Sequence, residues 1–461
     1  MPHGGPKCDS EVSDVPMKQV TARKRVLVIA FDFPPRRTSA VYRNTHLTKY
    51  LVQFGWQPTV LTVTTKLGGV EEPELLECLP SEVRIERTRY LPVSGWEDST
   101  AKAIRTAGAL QSRYDETKQP LLDRWVRSAG DLVRSCLYFP DDTVGWVPFG
   151  LARAARLIRE ERYEVVYTMS PPRSATVLGL LLKLFFGIPW VLEFQDPWYP
   201  PNRPWRRRFE HWLQAFMLRK ANAVVVMTEQ HKEDFHQSFH VPLQKLAVVR
   251  NGFDEEDFNF CTPPDKDLFP PGYIHLSHFG TVYSDSTGQF FAALSEFVRE
   301  YQDVRRRLRI NIIGYPDKAI LAYANDGELR EVIKLYTFVP HHKALQAMRA
   351  SHCLLLFWGR RDFSRLAVAG KTYEYLRIGR PILAVTYEGG VKELVEGAGA
   401  GWVVQPEDTE AMKEVLKSVL NEGATNAPLG PRHPEFVEQF RWDRLAEELA
   451  SVFDSVLSHG A

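Results

Sequence analysis

Cysteine is scarce in this chain, and its spacing carries no pattern. Cys8, Cys78, Cys136, Cys261 and Cys353 are five in 461 residues, with no CxxC pair among them. An odd, unpatterned set argues against a disulfide frame or a zinc site and for reduced thiols in a cytosolic protein. Most are read as small buried hydrophobes. An excess of one charge is missing as well, since 58 Lys and Arg face 57 Asp and Glu, for a net charge of +1. That balance disfavours a dedicated nucleic-acid binder. Long apolar runs are absent too. The longest, residues 177–192, is interrupted by Lys183, Gly187 and Pro189. It is short for a span of ~20 residues and divides into a helix and a strand. Residues 1–22 contain no apolar h-region and read as a disordered tail. These absences predict a soluble, cytoplasmic protein and leave peripheral contact with the inner face of a membrane open.

What remains is an ordinary globular composition, 44% hydrophobic and 25% charged. The length exceeds one ordinary core, so two domains are expected. Residues 25–31 (RVLVIAF) and 58–64 (PTVLTVT) are β-rich apolar runs, the profile of strands buried on both faces. Between them Leu47, Tyr50, Leu51 and Phe54 recur at helical spacing, with Gly55 as the stop. After a less regular region, strands at 164–169, 190–194, 223–227 and 246–249 alternate with helices at 149–161, 174–186, 204–221 and 229–239. Residues 91–142 break the rhythm as a polar, mostly helical insertion. A second series starts after the turn Asn251-Gly252-Phe253-Asp254 and the four prolines of 261–272. Its strands are expected at 273–279, 308–313, 335–338, 353–357, 381–385 and 401–404. The rhythm predicts an α/β protein of two doubly wound, Rossmann-like domains facing a cleft, with a C-terminal helix crossing back to the first domain. The expected division is a tail at 1–22, a first domain at 23–250, a second at 251–435 and the returning helix at 436–461.

Ligands of such sheets sit at the carboxyl ends of the strands. The loop leaving the first strand, residues 31–39, contains no glycine, so the G-x-G-x-x-G dinucleotide fingerprint is absent. Its Arg36 and Arg37 are either solvated or cleft-facing, and Arg43 in the next helix could face the cleft. Ser174 is a plausible N-cap after Ser170-Pro171-Pro172, which would let Arg173 point a cation into the cleft. Asp196 follows the strand ending at Phe194, placed to orient an acceptor hydroxyl or else to cap the next turn. In the second half, Gly280-Thr281 and Gly314 close strands where backbone could approach a diphosphate. Phe338-Val339-Pro340 offers a place for a base, ahead of His341 and His342 as helix-start residues. Tyr387-Glu388-Gly389-Gly390 could meet a sugar hydroxyl.

The most informative stretch is Val368-Ala369-Gly370-Lys371-Thr372-Tyr373-Glu374-Tyr375-Leu376. A helix opening at Gly370, Lys371 and Thr372 presents free N–H groups, a positive dipole end and an ammonium, which suits a phosphate. Glu374 lies one turn deeper on the same face, an acceptor for sugar hydroxyls. The competing reading is a capped surface helix with a Lys/Glu pair. Elsewhere, Trp205 to Arg208 with Trp212, Phe216, Arg219 and Lys220 form a basic aromatic helix, a solvated face with a buried stripe or a membrane-resting one.

Taken in order, FPP, SPP, the Asp-Pro-Trp turn, NGFD, FGT and GK-x-x-EYL-x-x-GRP-I-LA resemble the retaining family 4 glycosyltransferases of GT-B fold. The resemblance runs from about Lys24 to Leu457. It implies a hexosyltransferase-type enzyme with a nucleotide-sugar donor held by the second domain and a glycan or lipid-linked acceptor held by the first. It implies no separate cofactor and no metal. Lys371 would neutralise the diphosphate with help from Arg365, Glu374 would bind ribose hydroxyls, and Gly280 with Thr281 would line the phosphates. Transfer would be a front-face attack with retention, in cell-surface polysaccharide or glycolipid synthesis. Four departures from the pattern stand out. Leu366 replaces the first of two spaced glutamates, the Arg/Lys pair after FGT is missing, Gln195 stands where a His is common, and Thr38-Ser39 replace a Gly pair. A GT-B epimerase and a non-catalytic sugar-nucleotide-binding scaffold subunit are the alternatives.

Overall fold

A computed structural model describes residues 23–65, 71–92, 139–198, 204–259, 269–282, 284–325, 327–337, 339–359, 365–421 and 432–458. Most of the expected insertion at 91–142, the tail at 1–22 and Phe338 lie outside these residues.

Two parallel sheets follow each other along the chain. The first holds β1 (Lys24–Ile29), β2 (Trp56–Val63), β3 (Arg84–Thr88), β4 (Val165–Ser170), β5 (Trp190–Phe194), β6 (Ala223–Val226) and β7 (Leu246–Val248), in spatial order β3-β2-β1-β4-β5-β6-β7. The second holds β8 (Ile274–Phe279), β9 (Leu308–Ile313), β10 (Ile333–Tyr336), β11 (Cys353–Trp358), β12 (Ile382–Thr386) and β13 (Gly401–Val404), in order β10-β9-β8-β11-β12-β13. In both, strand order reverses beside the first strand, between β1 and β4 and between β8 and β11. A crevice opens at the carboxyl ends of strands at such a reversal.

Alternation along β1 shows why the runs are apolar throughout. Leu27 and Ile29 join the core on one face, while Val26 and Val28 join the core on the other. Helices cover both faces. One of them is the final helix, Trp442–Ser458, whose Leu445, Leu449 and Phe453 pack on the first sheet. The Phe453 ring lies edge-on 5.1 Å from Trp56 and 5.2 Å from Tyr167. The crossing starts later than expected, because Val437 and Phe440 still belong to the second sheet's core. The returning chain runs beside the NGFD turn, where Phe253 N–H donates to Phe440 O and Trp442 N–H donates to Phe253 O. A Cβ on Gly252 would sit 2.1 Å from Phe440 O, so glycine is required for that approach.

Three expectations need correction. The less regular region after β2 holds a strand, β3, none of whose five residues is buried; it is an edge strand paired to β2 alone. β10 lies two residues earlier than 335–338, since Ile333 pairs with Ile310 in the β9 register. Ser174 is not an N-cap. Its helix, Arg173–Phe186, begins one residue sooner, and Asp141 caps it from afar by accepting from Ser174 N–H at 3.0 Å and from its hydroxyl at 2.6 Å.

Candidate functional site

The site is built at the reversal point of the second sheet. β8 ends at Phe279, and the chain turns through Gly280 at φ 98°. Beside it Gly314, which follows β9, sits at φ 140°. A Cβ on Gly314 would stand 2.3 Å from the Gly280 carbonyl oxygen. Glycine is therefore forced twice, by conformation and by contact. Gly314→Ala is expected to cost at least ~2 kcal/mol, read as a lowered melting temperature; an unchanged one would show that the turn tolerates a side chain.

Over Gly280 lies Lys371, the first residue of the helix Lys371–Ile378. Its Nζ donates to Phe279 O and stands 3.2 Å from His278 Nε2 and 3.0 Å from where a Gly280 Cβ would be. His278 Nδ1 is 2.9 Å from Leu355 O, which can only accept. That contact assigns the proton to Nδ1 and leaves the Nε2 lone pair for the ammonium. Burial, and then the charge of Lys371, hold the His278 pKa well below its ordinary value, so the ring stays neutral. Burial lowers Lys371 to about 8, against the opposing pull of Glu374. Tyr375, fully buried, accepts from Phe279 N–H at 3.1 Å and fixes the strand end.

Glu374 is not free in this state. His341, the first residue of the helix His341–Ala350 that follows β10, meets Glu374 Oε1 with its Nε2 at 2.9 Å. Burial opposes charge on His341, but Glu374 and then Asp257 outweigh it and push its pKa up to about 9. The ring also lies 5.2 Å from that of Tyr42 in the first domain, whose hydroxyl donates to Glu72 at 2.6 Å. The Glu374–His341 pair thus touches the facing domain. Thr228 donates across the same boundary to Leu366 O at 3.1 Å.

The other expected residues divide. Gly280, Gly314, Lys371 and Glu374 converge on one place. Thr281 and Gly370 are exposed, and Val339 is half-buried and packed against the core beneath the helix. Thr372 is a correction: it is fully buried, its hydroxyl sealed from solvent, because the second helical position turns inward onto the sheet. Asp196 follows β5, is exposed, and makes no hydrogen bond or ion pair among the described residues, so it caps nothing there. Arg173 is a second correction. Its guanidinium is 2.5 Å from Glu210 and lies over the Trp198 ring at 4.9 Å, so its charge is neutralised by a neighbouring helix rather than offered to the cleft.

Arg43 does not face the cleft either. It is 2% exposed, paired with the fully buried Glu193 at 2.8 Å, and donates to Val249 O and Arg250 O. Glu193 also accepts from Tyr167 and from Gln195, the residue standing in the histidine position. Sequence reasoning missed His278, Tyr42 and the pairing role of His341. The one available signal was a histidine at the end of the apolar β8 run, directly before Phe-Gly-Thr.

Fold and site define the class: two facing doubly wound domains of GT-B type. The "Glycosyl transferase 4-like domain" model matches residues 40–252, and the "Glycosyl transferases group 1" model matches residues 285–422. The chain belongs to the GT-B glycosyltransferases of this group 1, family 4 type. Among curated relatives, the "putative colanic acid biosynthesis glycosyltransferase WcaL" of Escherichia coli is 25% identical over 48% of this chain and 53% of its own length. A "D-inositol 3-phosphate glycosyltransferase" of Streptomyces avermitilis is 23% identical over 51% of this chain and 52% of its own. The chain thus spans about half the length of the curated relatives it matches. Among solved structures, a sucrose-phosphate synthase from Thermosynechococcus elongatus aligns with TM-score 0.63 at 14% identity, over 95% of this chain and 100% of that one. Anabaena Alr3699/HepE, solved in complex with UDP, aligns with TM-score 0.60 at 13% identity, over 94% and 100%.

Proposed function

We propose that the chain transfers a sugar, with retention, from a nucleotide-diphosphate sugar to an acceptor hydroxyl in the synthesis of cell-surface polysaccharide or glycolipid. The observation that carries this reading is the ammonium of Lys371 seated over Gly280, at the amino end of a helix and the reversal point of a parallel sheet. A helix end, a close-approach glycine and a half-buried cation together make a diphosphate subsite. Departure of the nucleoside diphosphate needs charge neutralisation and positioning, which Lys371, Arg365 and the helix dipole supply. Glu374 takes the ribose hydroxyls after exchanging its bond to His341. Asp196, unpartnered at the end of β5, orients the acceptor. No separate cofactor and no metal ion enter this scheme. The Anabaena neighbour, solved with UDP and with UDP-glucose, supports a uridine nucleotide as the first donor to try.

The test is a melting-temperature screen of UDP-, GDP- and ADP-sugars, followed by product analysis over an acceptor panel. A matching donor is expected to stabilise by mass action, about 2.7 kcal/mol at a hundredfold excess over Kd. Glu374→Gln is expected to weaken the matching donor ~10-fold or more, about 1.4 kcal/mol, read from donor titrations, and to lower the melting temperature in its absence because His341 loses the carboxylate that holds its charge. Donor binding without transfer to any acceptor would favour a scaffold subunit. Stabilisation by none of the nucleotides would end the donor reading.

A further inference from the structure

The helix Pro204–Lys220 leaves one face half-exposed, and that face is chemically one-sided. Trp205, Phe209, Trp212 and Phe216 recur at four-, three- and four-residue spacing, which places them on one stripe. Such a stripe normally enters a core. Here Trp205 is 40%, Phe209 44% and Trp212 52% exposed. The rings stack on each other as a ladder, Phe209 to Trp212 at 5.5 Å and Trp212 to Phe216 at 5.7 Å. At the end of the neighbouring helix, Leu184 and Phe185 are 49% and 66% exposed.

Exposed charge on this helix is of one sign. The helix has a single carboxylate, Glu210, which is buried and already bound by Arg173 and Arg206. Arg207, Arg208, Arg219 and Lys220 are exposed, and none has a carboxylate partner among the described residues. The ladder ends on a lysine cluster. Lys220 lies 5.6 Å from the Phe216 ring, Lys245 donates to Arg219 O at 2.9 Å, and Lys183 is near enough to feel both. Burial, and then the charge of Lys220, lower the Lys183 pKa; burial, and then Lys183, lower that of Lys245. Three neighbouring ammonium groups with no carboxylate partner among the described residues oppose folding, and half-exposed aromatic rings forgo part of the stabilisation that burial would give. Both costs are relieved by one partner that is anionic at its surface and apolar beneath.

We infer that this face, the Trp205–Phe216 ladder with the Lys183, Lys220 and Lys245 cluster, docks the first domain on an anionic lipid bilayer. Indole and phenyl rings enter the headgroup boundary while the cations meet lipid phosphates. The contact is peripheral, since no helix among the described residues is long and apolar enough to cross a membrane. The helix begins eight residues after Asp196. Docking therefore sets the acceptor-side loop near the bilayer, but the inference does not depend on which reaction, if any, occurs there.

The experiment is co-sedimentation of the full chain with vesicles of phosphatidylcholine alone or with about 30% phosphatidylglycerol. Binding is expected to the anionic vesicles, weakly or not at all to the neutral ones, and to decline as salt rises. Trp212→Ala and the pair Lys183→Glu/Lys220→Glu are each expected to lower partitioning at least ~10-fold. Lys417→Glu, an exposed change on the second domain, is expected to leave it unaltered. Far-ultraviolet dichroism checks that each variant is folded, and the salt and lipid dependence of the unaltered chain tests the inference without any variant. Absence of binding to anionic vesicles would overturn it. So would equal binding of the chain to both vesicle types, or equal binding by folded ladder and lysine variants.

Discussion

Lys371→Met is expected to remove transfer activity by ~10²–10³-fold or more while leaving the protein at least as stable as before. Methionine keeps the stem that lies over Gly280 but carries no charge to meet a departing diphosphate. The stability half of the expectation follows from the same burial that makes the site. An ordinary lysine titrates at 10.5, and burial brings Lys371 to about 8. Between those two values the unfolded chain holds a proton that the folded chain has lost, so stability contributed by this group rises with pH. Below pH 8 the cost of the buried charge is present in full. The methionine variant escapes it, and its melting temperature should exceed that of the parent at pH 7, with the gap closing toward pH 10. Activity has the opposite sign, since kcat/KM reports the free enzyme and should fall as pH rises through about 8. Steady-state transfer and melting curves at both pH values decide the matter. Retained transfer would remove Lys371 from the chemistry; a destabilised variant at pH 7 would show the ammonium to be structural.

That pairing of lost activity with gained stability is a property of functional sites, where a local cost is tolerated for chemistry. His278 supports the same interpretation. Its ring is neutral, fixed by Leu355 and aimed at the ammonium, so it positions Lys371 without competing for the anion.

What the sequence revealed and what it hid follow from the range over which each feature is determined. Gly280, Gly314 and the Gly370-Lys371 helix start were legible because backbone conformation and helix polarity are local. The parallel sheets were legible because strands buried on both faces must be apolar along their length. β3 escaped because an edge strand needs neither. Ser174 looked like a cap because a serine before a helix usually is one, whereas the capping carboxylate, Asp141, sits 33 residues away. Arg43 looked like a cleft cation because nothing near it in the chain neutralises it. Its partner lies 150 residues on. Pairing across such distances leaves no periodicity or spacing to detect. The same holds for His341, whose role appears only once Glu374 and Tyr42 are brought beside it.

The buried pair itself supplies the largest expected effect on stability. Arg43→Met leaves Glu193, with no exposed surface, facing Tyr167 and Gln195 but no cation. An uncompensated buried carboxylate costs ~3–5 kcal/mol, and Val249 O and Arg250 O lose donors as well. The folded variant is expected to protonate Glu193, so its stability should fall further as pH rises from 6 to 8, where the unfolded carboxylate has long been ionised. Arg43→Met/Glu193→Gln removes the charge along with its partner, and should recover most of the loss because an amide still bonds Tyr167. Urea midpoints of the parent, the two single variants and the double variant close the cycle. A coupling near zero would mean that the network is solvated in solution and that the carbonyls, not the carboxylate, are what Arg43 serves. A large coupling would place the rigidity of the first domain in this pair. The helix bearing Tyr42 would then be held from within, at Arg43, while Tyr42 meets His341 across the cleft.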